Sequence, residues 1–482
     1  MTEPASSFRD PAGFCCSFEG RILRVVSQEG ADNLETFRRT FSAREWMSHG
    51  RFVATRRLNE TERAALLSTP GFTPLVGGRP NDAIFEHERI PFASFPHEWP
   101  AEMLWEAGRL TLNLAAAVLD DGYGLKDATP NNVMFRGGEA VFLDALSFER
   151  RAPGDPMWKP YAQFVRTFLL PLLAAQGWNM RMADIFGSRR DGLEPDEVYH
   201  WCGPLQRFSP RMLSLVSIPT WLSRKTRPDE QGIYRDRTMA NAEKARFVVQ
   251  SLFKRLQRTL NSLQPPVRKQ SNWSDYMATH SYSDPAFEVK ERFVKAVLQR
   301  CKPARVLDVG ANTGHFSALA AQAGAGVVAI DLDPACVGTI WSETRARKLN
   351  VLPLVVNLAW PTPGLGWRNR ECPAFLDRAR GSFDGVLMLA VIHHLLVTER
   401  VPLEEILRLA AELTTSVVII EFGPPQDEMF RRLARGRDHL HASLTEPVFE
   451  QACAAHFSIL SSAQLPGTHR KLYCLKRKGG AQ

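Results

Sequence analysis

Beyond residue 270 the apolar positions fall into a regular rhythm. Val289, Phe293 and Val297 recur one helical turn apart, which predicts an amphipathic helix. Arg305–Val309 is a short apolar run with the character of a strand. Gly314–Gln322 reads as a helix stopped by Gly324. Val327–Ile330 is a second strand, and Pro334–Leu349 a helix opened by its proline. Val351–Val356, Gly385–Leu389 and Val417–Ile420 are further β-branched or apolar runs, with helical stretches between them, Pro402–Leu413 the clearest. Strands that alternate with helices predict a parallel sheet covered on both faces, an α/β doubly wound Rossmann-like fold. The last two runs, Phe457–Leu460 and Lys471–Leu475, flank Pro466 and Gly467, and predict an antiparallel edge to that sheet.

The first half has a different texture. Residues 1–205 mix short strand-like runs with a helical pattern over Glu102–Leu119, an α+β composition. Residues 206–270 are rich in Arg and Lys. Phe247, Val248, Leu252 and Leu256 recur there at helical spacing, and Pro265 and Pro266 end the pattern. We therefore expect three parts: a domain over 1–205, a basic helical connector over 206–270 that docks on its neighbours, and a domain over 271–482. With 482 residues, and at ~100–200 residues per domain, the length agrees. The 44% hydrophobic and 23% charged composition excludes a disordered chain. No apolar run approaches the ~20 residues of a membrane helix, and Phe168–Ala175 falls far short. The polar start and the eight cysteines, none in a C-x-x-C pair, lead us to expect a cytoplasmic protein without a structural metal site. The formal charge of +8 is consistent with an anionic partner but lacks the interleaved aromatics of a single-strand binder.

The sharpest local signal is Val306-Leu307-Asp308-Val309-Gly310-Ala311-Asn312-Thr313-Gly314, a strand entering a small-residue turn that opens a helix. In an open α/β sheet a nucleotide-like ligand sits at such a strand end. Gly310 and Gly314 allow close backbone approach, and Asn312 tolerates the left-handed region better than most residues. The turn is not a G-x-G-x-x-G pyrophosphate cradle. An acid before it, Asp308, suits a cationic ligand, and a second acid, Asp331, closes the next strand where a carboxylate can accept ribose hydroxyls.

These segments, with Asn357–Trp367, Ala390–Leu395 and Ile420–Phe422, make residues 271–482 resemble class I S-adenosylmethionine-dependent methyltransferases, and more narrowly a bacterial group that includes a rhizobial nodulation-related enzyme. The resemblance implies that Asp308, Gly310, Asn312 and Gly314 wrap the methionine end of the cofactor and that Asp331 holds the ribose. It also implies that Asn357 faces the adenine, a position where many relatives carry Asp, and that Leu389 and Ala390 border the site. The segment holding Trp273, Tyr276 and Tyr282 is implied to fold over the cofactor, and Trp360 and Trp367 lie in a long stretch suited to a substrate lid. Methyl transfer often needs a proton acceptor. His393 and His394, just after the fourth strand, are the candidate bases, with Glu421 at the next strand end to orient one of them or to bind substrate.

A second constellation lies in the first half. Asp127 and Asn132 stand at the spacing of a kinase catalytic loop, Gly137-Gly138 makes a hairpin turn, and Asp144 follows where kinases place a metal-binding acid. The order resembles an aminoglycoside-phosphotransferase type of kinase-like domain in degenerate form. It implies that Asp127 takes a hydroxyl proton while Asn132 and Asp144 hold Mg-ATP. Against it, Gly13 and Gly20 are the nearest thing to a glycine-rich loop, and Arg24 stands where such folds use a lysine.

Taken together, the expected function is methyl transfer from S-adenosylmethionine to a small-molecule or glycan-like acceptor. A bifunctional kinase-methyltransferase and a non-catalytic S-adenosylmethionine-binding regulator are the alternatives. Ala390–His393 stands where DNA amine-methylating enzymes carry an Asn/Asp-Pro-Pro-Tyr/Phe box, which argues against nucleic acid as the acceptor.

Overall fold

The computed structural model describes residues 9–223, 238–266 and 284–479. By its contacts the chain divides into two units, Met1–Pro266 with Leu365–Cys372, and Val267–Gly364 with Pro373–Gln482.

The first unit opens on an antiparallel sheet of order β1-β2-β4-β3, made of β1 (Gly13–Phe18), β2 (Arg21–Val26), β3 (Thr55–Arg57) and β4 (Ala83–His87). Glu19 and Gly20, both at positive φ, join β1 to β2 in a two-residue turn, the geometry that matches strand twist. The helix expected from Glu102 spans Ala101–Ala117 (α1), and Met103, Leu104, Ala107, Leu110 and Leu114 form its buried stripe. Two short antiparallel pairs follow, β5 (Tyr123–Leu125) with β8 (Phe148–Arg150), and β6 (Val133–Arg136) with β7 (Glu139–Phe142). Gly137, at φ 54°, makes the turn between β6 and β7.

The structure departs from the expected connector. Helix α2 (Ala242–Ser262) belongs to the first unit, and it packs on α1 by a different face from the one anticipated. Its buried stripe is Ala245, Val249, Phe253, Leu256 and Leu260, whereas Phe247 and Val248 are exposed. The chosen spacing shared only Leu256 with the true stripe, because a helix with apolar residues on two faces offers two readings of the same period. Trp105 of α1 fixes the register by donating its indole N–H to the Leu260 carbonyl at 3.0 Å. Arg224, Lys225, Arg227, Arg235 and Arg237 of the basic stretch lie outside the described residues, as do Trp273, Tyr276 and Tyr282.

The second unit is a seven-stranded sheet of order β11-β10-β9-β12-β13-β15-β14. Its parallel part comprises β9 (Arg305–Val309), β10 (Gly326–Asp331), β11 (Val351–Val355), β12 (Phe383–Met388) and β13 (Thr414–Phe422). The antiparallel edge is β14 (Phe457–Gln464) paired to β15 (Lys471–Arg477). The helices are α3 (Asp284–Cys301), α4 (His315–Gln322), α5 (Pro334–Ala346), α6 (Leu403–Leu413) and α7 (Glu428–Ala434). The parallel strands are apolar on both faces because helices cover both. Val306, Leu307, Ala329, Val351 and Ile419 are all 1% exposed or less. No helix among the described residues is long and apolar enough to cross a membrane.

Candidate active site

Strand β9 ends at Val309 and the chain turns at once. Gly310, Asn312 and Gly314 have φ of 66°, 50° and 84°, so the turn uses the left-handed region three times, once at a residue with a side chain. Asn312 accommodates this by accepting the Thr313 N–H on its own Oδ1 at 2.7 Å. The Gly310 and Ala311 amides donate to the Ile330 carbonyl, tying the turn to the end of β10. A Cβ on Gly310 would lie 2.6 Å from Val391 Cγ2, so the segment after β12 rests directly on this turn. Ala390, one residue earlier, also has a positive φ, 56°. Left-handed backbone at residues that carry a Cβ costs of order 1 kcal/mol each and collects at functional sites.

Two acids stand on this edge. Asp308 is 3% exposed and accepts the Ser317 hydroxyl at 2.5 Å. Burial pushes its carboxyl up to about 7. Asp331 accepts the Asn312 N–H on one oxygen and the Asp333 N–H on the other, both at 2.9 Å, and burial raises it to about 6. Among the described residues neither acid has an ion-pair partner. Asn357 lies two residues past β11. Its Oδ1, the atom an exocyclic amine would need, already accepts the Ala359 N–H at 2.9 Å and keeps one lone pair. Leu389 is buried and Ala390 half-buried at the end of β12.

The two histidines differ. His393 is 3% exposed, its ring 4.5 Å from that of His394, and its Nε2 is buried without a hydrogen-bond partner. Burial, then His394 and Arg470, pushes it down to about 3. His394 is half-buried and lowered by burial and Arg470. Both rings are therefore neutral near pH 7. The expectation of a histidine near its ordinary pKa gives way to that of a neutral imidazole, because the loop buries it beside a guanidinium.

Glu421, expected to orient a histidine or bind substrate, ends β13 in a buried ionic cluster. Lys290 of α3 reaches it at 2.6 Å and Arg470 at 3.1 Å, and Arg470 also forks onto Asp427 at 2.7 and 3.0 Å. Asp427 in turn caps α7 through the Met429 and Phe430 amides. Lys290, Arg470 and Asp427 were missed in the sequence. Lys290 had left a trace, since it shares the buried stripe of α3 with Ala286, Val294 and Val297. Trp360 and Trp367 are 83% and 64% exposed, and Trp367 belongs to the segment counted with the first unit.

In the first unit the structure brings Asn132 and Asp144 onto one hydroxyl. Ser147 Oγ accepts from Asn132 Nδ2 at 3.2 Å and donates to Asp144 Oδ2 at 2.6 Å. Asp127 joins through its carbonyl, 3.5 Å from Asn132 Nδ2, while its carboxylate accepts Gln163 Nε2 at 3.3 Å.

Residues 282–465 match the family described as a methyltransferase domain, and this part of the chain is an S-adenosylmethionine-dependent methyltransferase domain. Along nearly its whole length the chain is similar to nodulation protein NoeA of Rhizobium meliloti (strain 1021). It is 28% identical over 474 residues, covering 98% of this chain and 96% of that protein. Among solved structures it is similar to WbdD at 16% identity and a TM-score of 0.30, covering 44% of this chain and 43% of that one, under half of its length. It is also similar to the N-methyltransferase NodS of Bradyrhizobium japonicum WM9, at 13% identity and a TM-score of 0.31, covering 41% of this chain and 99% of that one.

Proposed function

We propose that the protein transfers a methyl group from S-adenosylmethionine to a small-molecule or glycan-like acceptor at the C-terminal edge of the second unit's sheet. The observation that carries this reading is the pair Asp308 and Asp331. They are a buried and a half-buried carboxylate at adjacent strand ends that receive hydrogen bonds but, among the described residues, no ion-pairing cation. Burying a carboxylate without a counter-charge is costly, and a cationic ligand relieves that cost. In this reading Asp308 faces the ammonium end and Asp331 the ribose. Gly310, Asn312 and Gly314 let the backbone close around the ligand, while Asn357, Leu389 and Ala390 border the adenine and the sulfonium. When bound, the cofactor supplies an electrophilic methyl on a positive sulfur.

The residues after β12 face the acceptor. A neutral His393 suits the neighbourhood of a sulfonium, which a charged imidazolium would repel. Its unpartnered Nε2 either accepts the acceptor's hydrogen or donates its own, according to tautomer, and so orients the nucleophile for in-line attack. His394 lies beside it, its ring tilted by 40°. Glu421, saturated by Lys290 and Arg470, supports that wall of the site and does not handle the proton itself.

A screen of hydroxyl and amine acceptors with methyl-labelled S-adenosylmethionine tests the reading, with His393→Ala and His394→Ala alongside. Transfer that falls at least tenfold in His393→Ala with cofactor affinity retained is expected. Undiminished transfer in both variants would remove the histidines from the reaction.

A further inference from the structure

The sequence pattern of the first unit implies a metal-bound nucleotide at Asp127, Asn132 and Asp144, and the residues present do not fit one. Both oxygens of Asp144 are already engaged within the chain. Its Oδ1 meets the Arg24 guanidinium at 3.1 Å and the Leu146 N–H at 3.3 Å, and its Oδ2 accepts the Ser147 hydroxyl at 2.6 Å. Arg24 is also held from behind. Its Nε donates to His87 Nε2 at 3.1 Å, which leaves the neutral imidazole to donate from Nδ1 to Thr55 Oγ1 at 2.8 Å, and the threonine hydroxyl donates to the Val53 carbonyl at 3.0 Å. Every donor in this chain runs in one direction, and Arg24 and His87 are each 6% exposed. Such a fully satisfied buried network resists rearrangement. A second observation agrees. The β1–β2 connection is the tight pair Glu19 and Gly20, with no loop of free amides to surround a phosphate chain.

We propose that Arg24 is the resident cation of the first unit, occupying at Asp144 the place that a divalent metal would need, so that this constellation is a structural clasp and takes no metal-bound nucleotide. A guanidinium supplies the positive charge permanently, in a fixed direction and without a coordination shell. Asn132 and Asp144 then hold the start of the β6–β7 hairpin to the segment after β7 through the Ser147 hydroxyl.

Titrating the full chain with Mn²⁺ and following the paramagnetic signal of the free ion tests this directly. The wild type is expected to leave the ion free at millimolar concentration, and Asp144→Asn to change nothing. Arg24→Met keeps the apolar stem and removes the charge, and it should bind Mn²⁺ at least tenfold more tightly than the wild type. Adding Asp144→Asn to that variant should abolish the gain. Retention of Mn²⁺ by the wild type that Asp144→Asn removes would overturn the proposal, and so would Arg24→Met that folds and gains nothing. If Arg24→Met does not fold, the wild type against Asp144→Asn still decides, by the presence or absence of a difference in retained ion.

Discussion

In the first unit Asp144 meets a guanidinium, while in the second, among the described residues, Asp308 and Asp331 meet hydrogen-bond donors and no ion-pair partner. All three acids follow or end short strands, and all three stand in motifs whose spacing suggests a bound nucleotide. The difference lies in where the counter-charge comes from. Asp144 has one built in, so its charge is already compensated. Asp308 and Asp331 are pushed up to about 7 and about 6 because burial is not offset from within, and the missing charge is one that a cationic ligand supplies. An acid motif thus becomes informative only when the cations around it are known.

The ionic cluster of the second unit gives the largest expected effect. Arg470→Leu removes the ion-pair partner of Asp427 and one of the two that hold Glu421, while both acids stay buried, and breaking such a pair from one side costs about 3–5 kcal/mol. Denaturant unfolding should show that loss, and a change under 1 kcal/mol would mean that the cluster is not coupled to the fold. Gly310→Ala follows. It forces a Cβ into Val391 at a positive φ, and strain of this kind is worth about 1–3 kcal/mol. Cofactor affinity should fall with stability, and an unaltered affinity would place the ligand elsewhere.

The acid pair then predicts a pH dependence with a definite sign. In the empty protein the folded pKa values of Asp308 and Asp331 exceed those of the unfolded chain. Their contribution to stability therefore falls as pH rises from about 4 toward 7 and is level above that. A bound cation favours the charged forms, so cofactor affinity should climb between pH 5.5 and 7.5 and then flatten, as calorimetry at several pH values can measure. An affinity that falls over that interval would exclude these acids as the counter-charge. The smallest effect is expected for Asn312→Gly. Relief of the left-handed strain and loss of the side-chain bond to Thr313 nearly cancel, to within about 1 kcal/mol.

Much of this was legible in the chain itself. The parallel strands announced themselves as apolar runs, and the Gly310–Gly314 turn as a break between strand and helix, because both depend on neighbouring residues. The same holds for the antiparallel edge, whose Pro466-Gly467 turn is local. The ionic cluster was not legible. Lys290 and Arg470 lie far in sequence from Glu421 and Asp427, and the four meet only when α3, β13, α7 and the final hairpin pack. The buried face of α2 was misread for the same reason, since Phe247 and Val249 are equally apolar and only contact with α1 selects between them. The Arg24–Asp144 pair, which joins residues distant in sequence, belongs with these. Sequence spacing suggested a metal site there, and the third dimension supplied the arginine.

The most direct measurement is calorimetric titration of the full chain with S-adenosylmethionine beside Asp308→Ala. Micromolar-range binding to the wild type is expected, with at least a tenfold loss in the variant, about 1.4 kcal/mol or more. Absence of binding to folded wild-type protein, or equal binding to the variant, would contradict the proposed cofactor site.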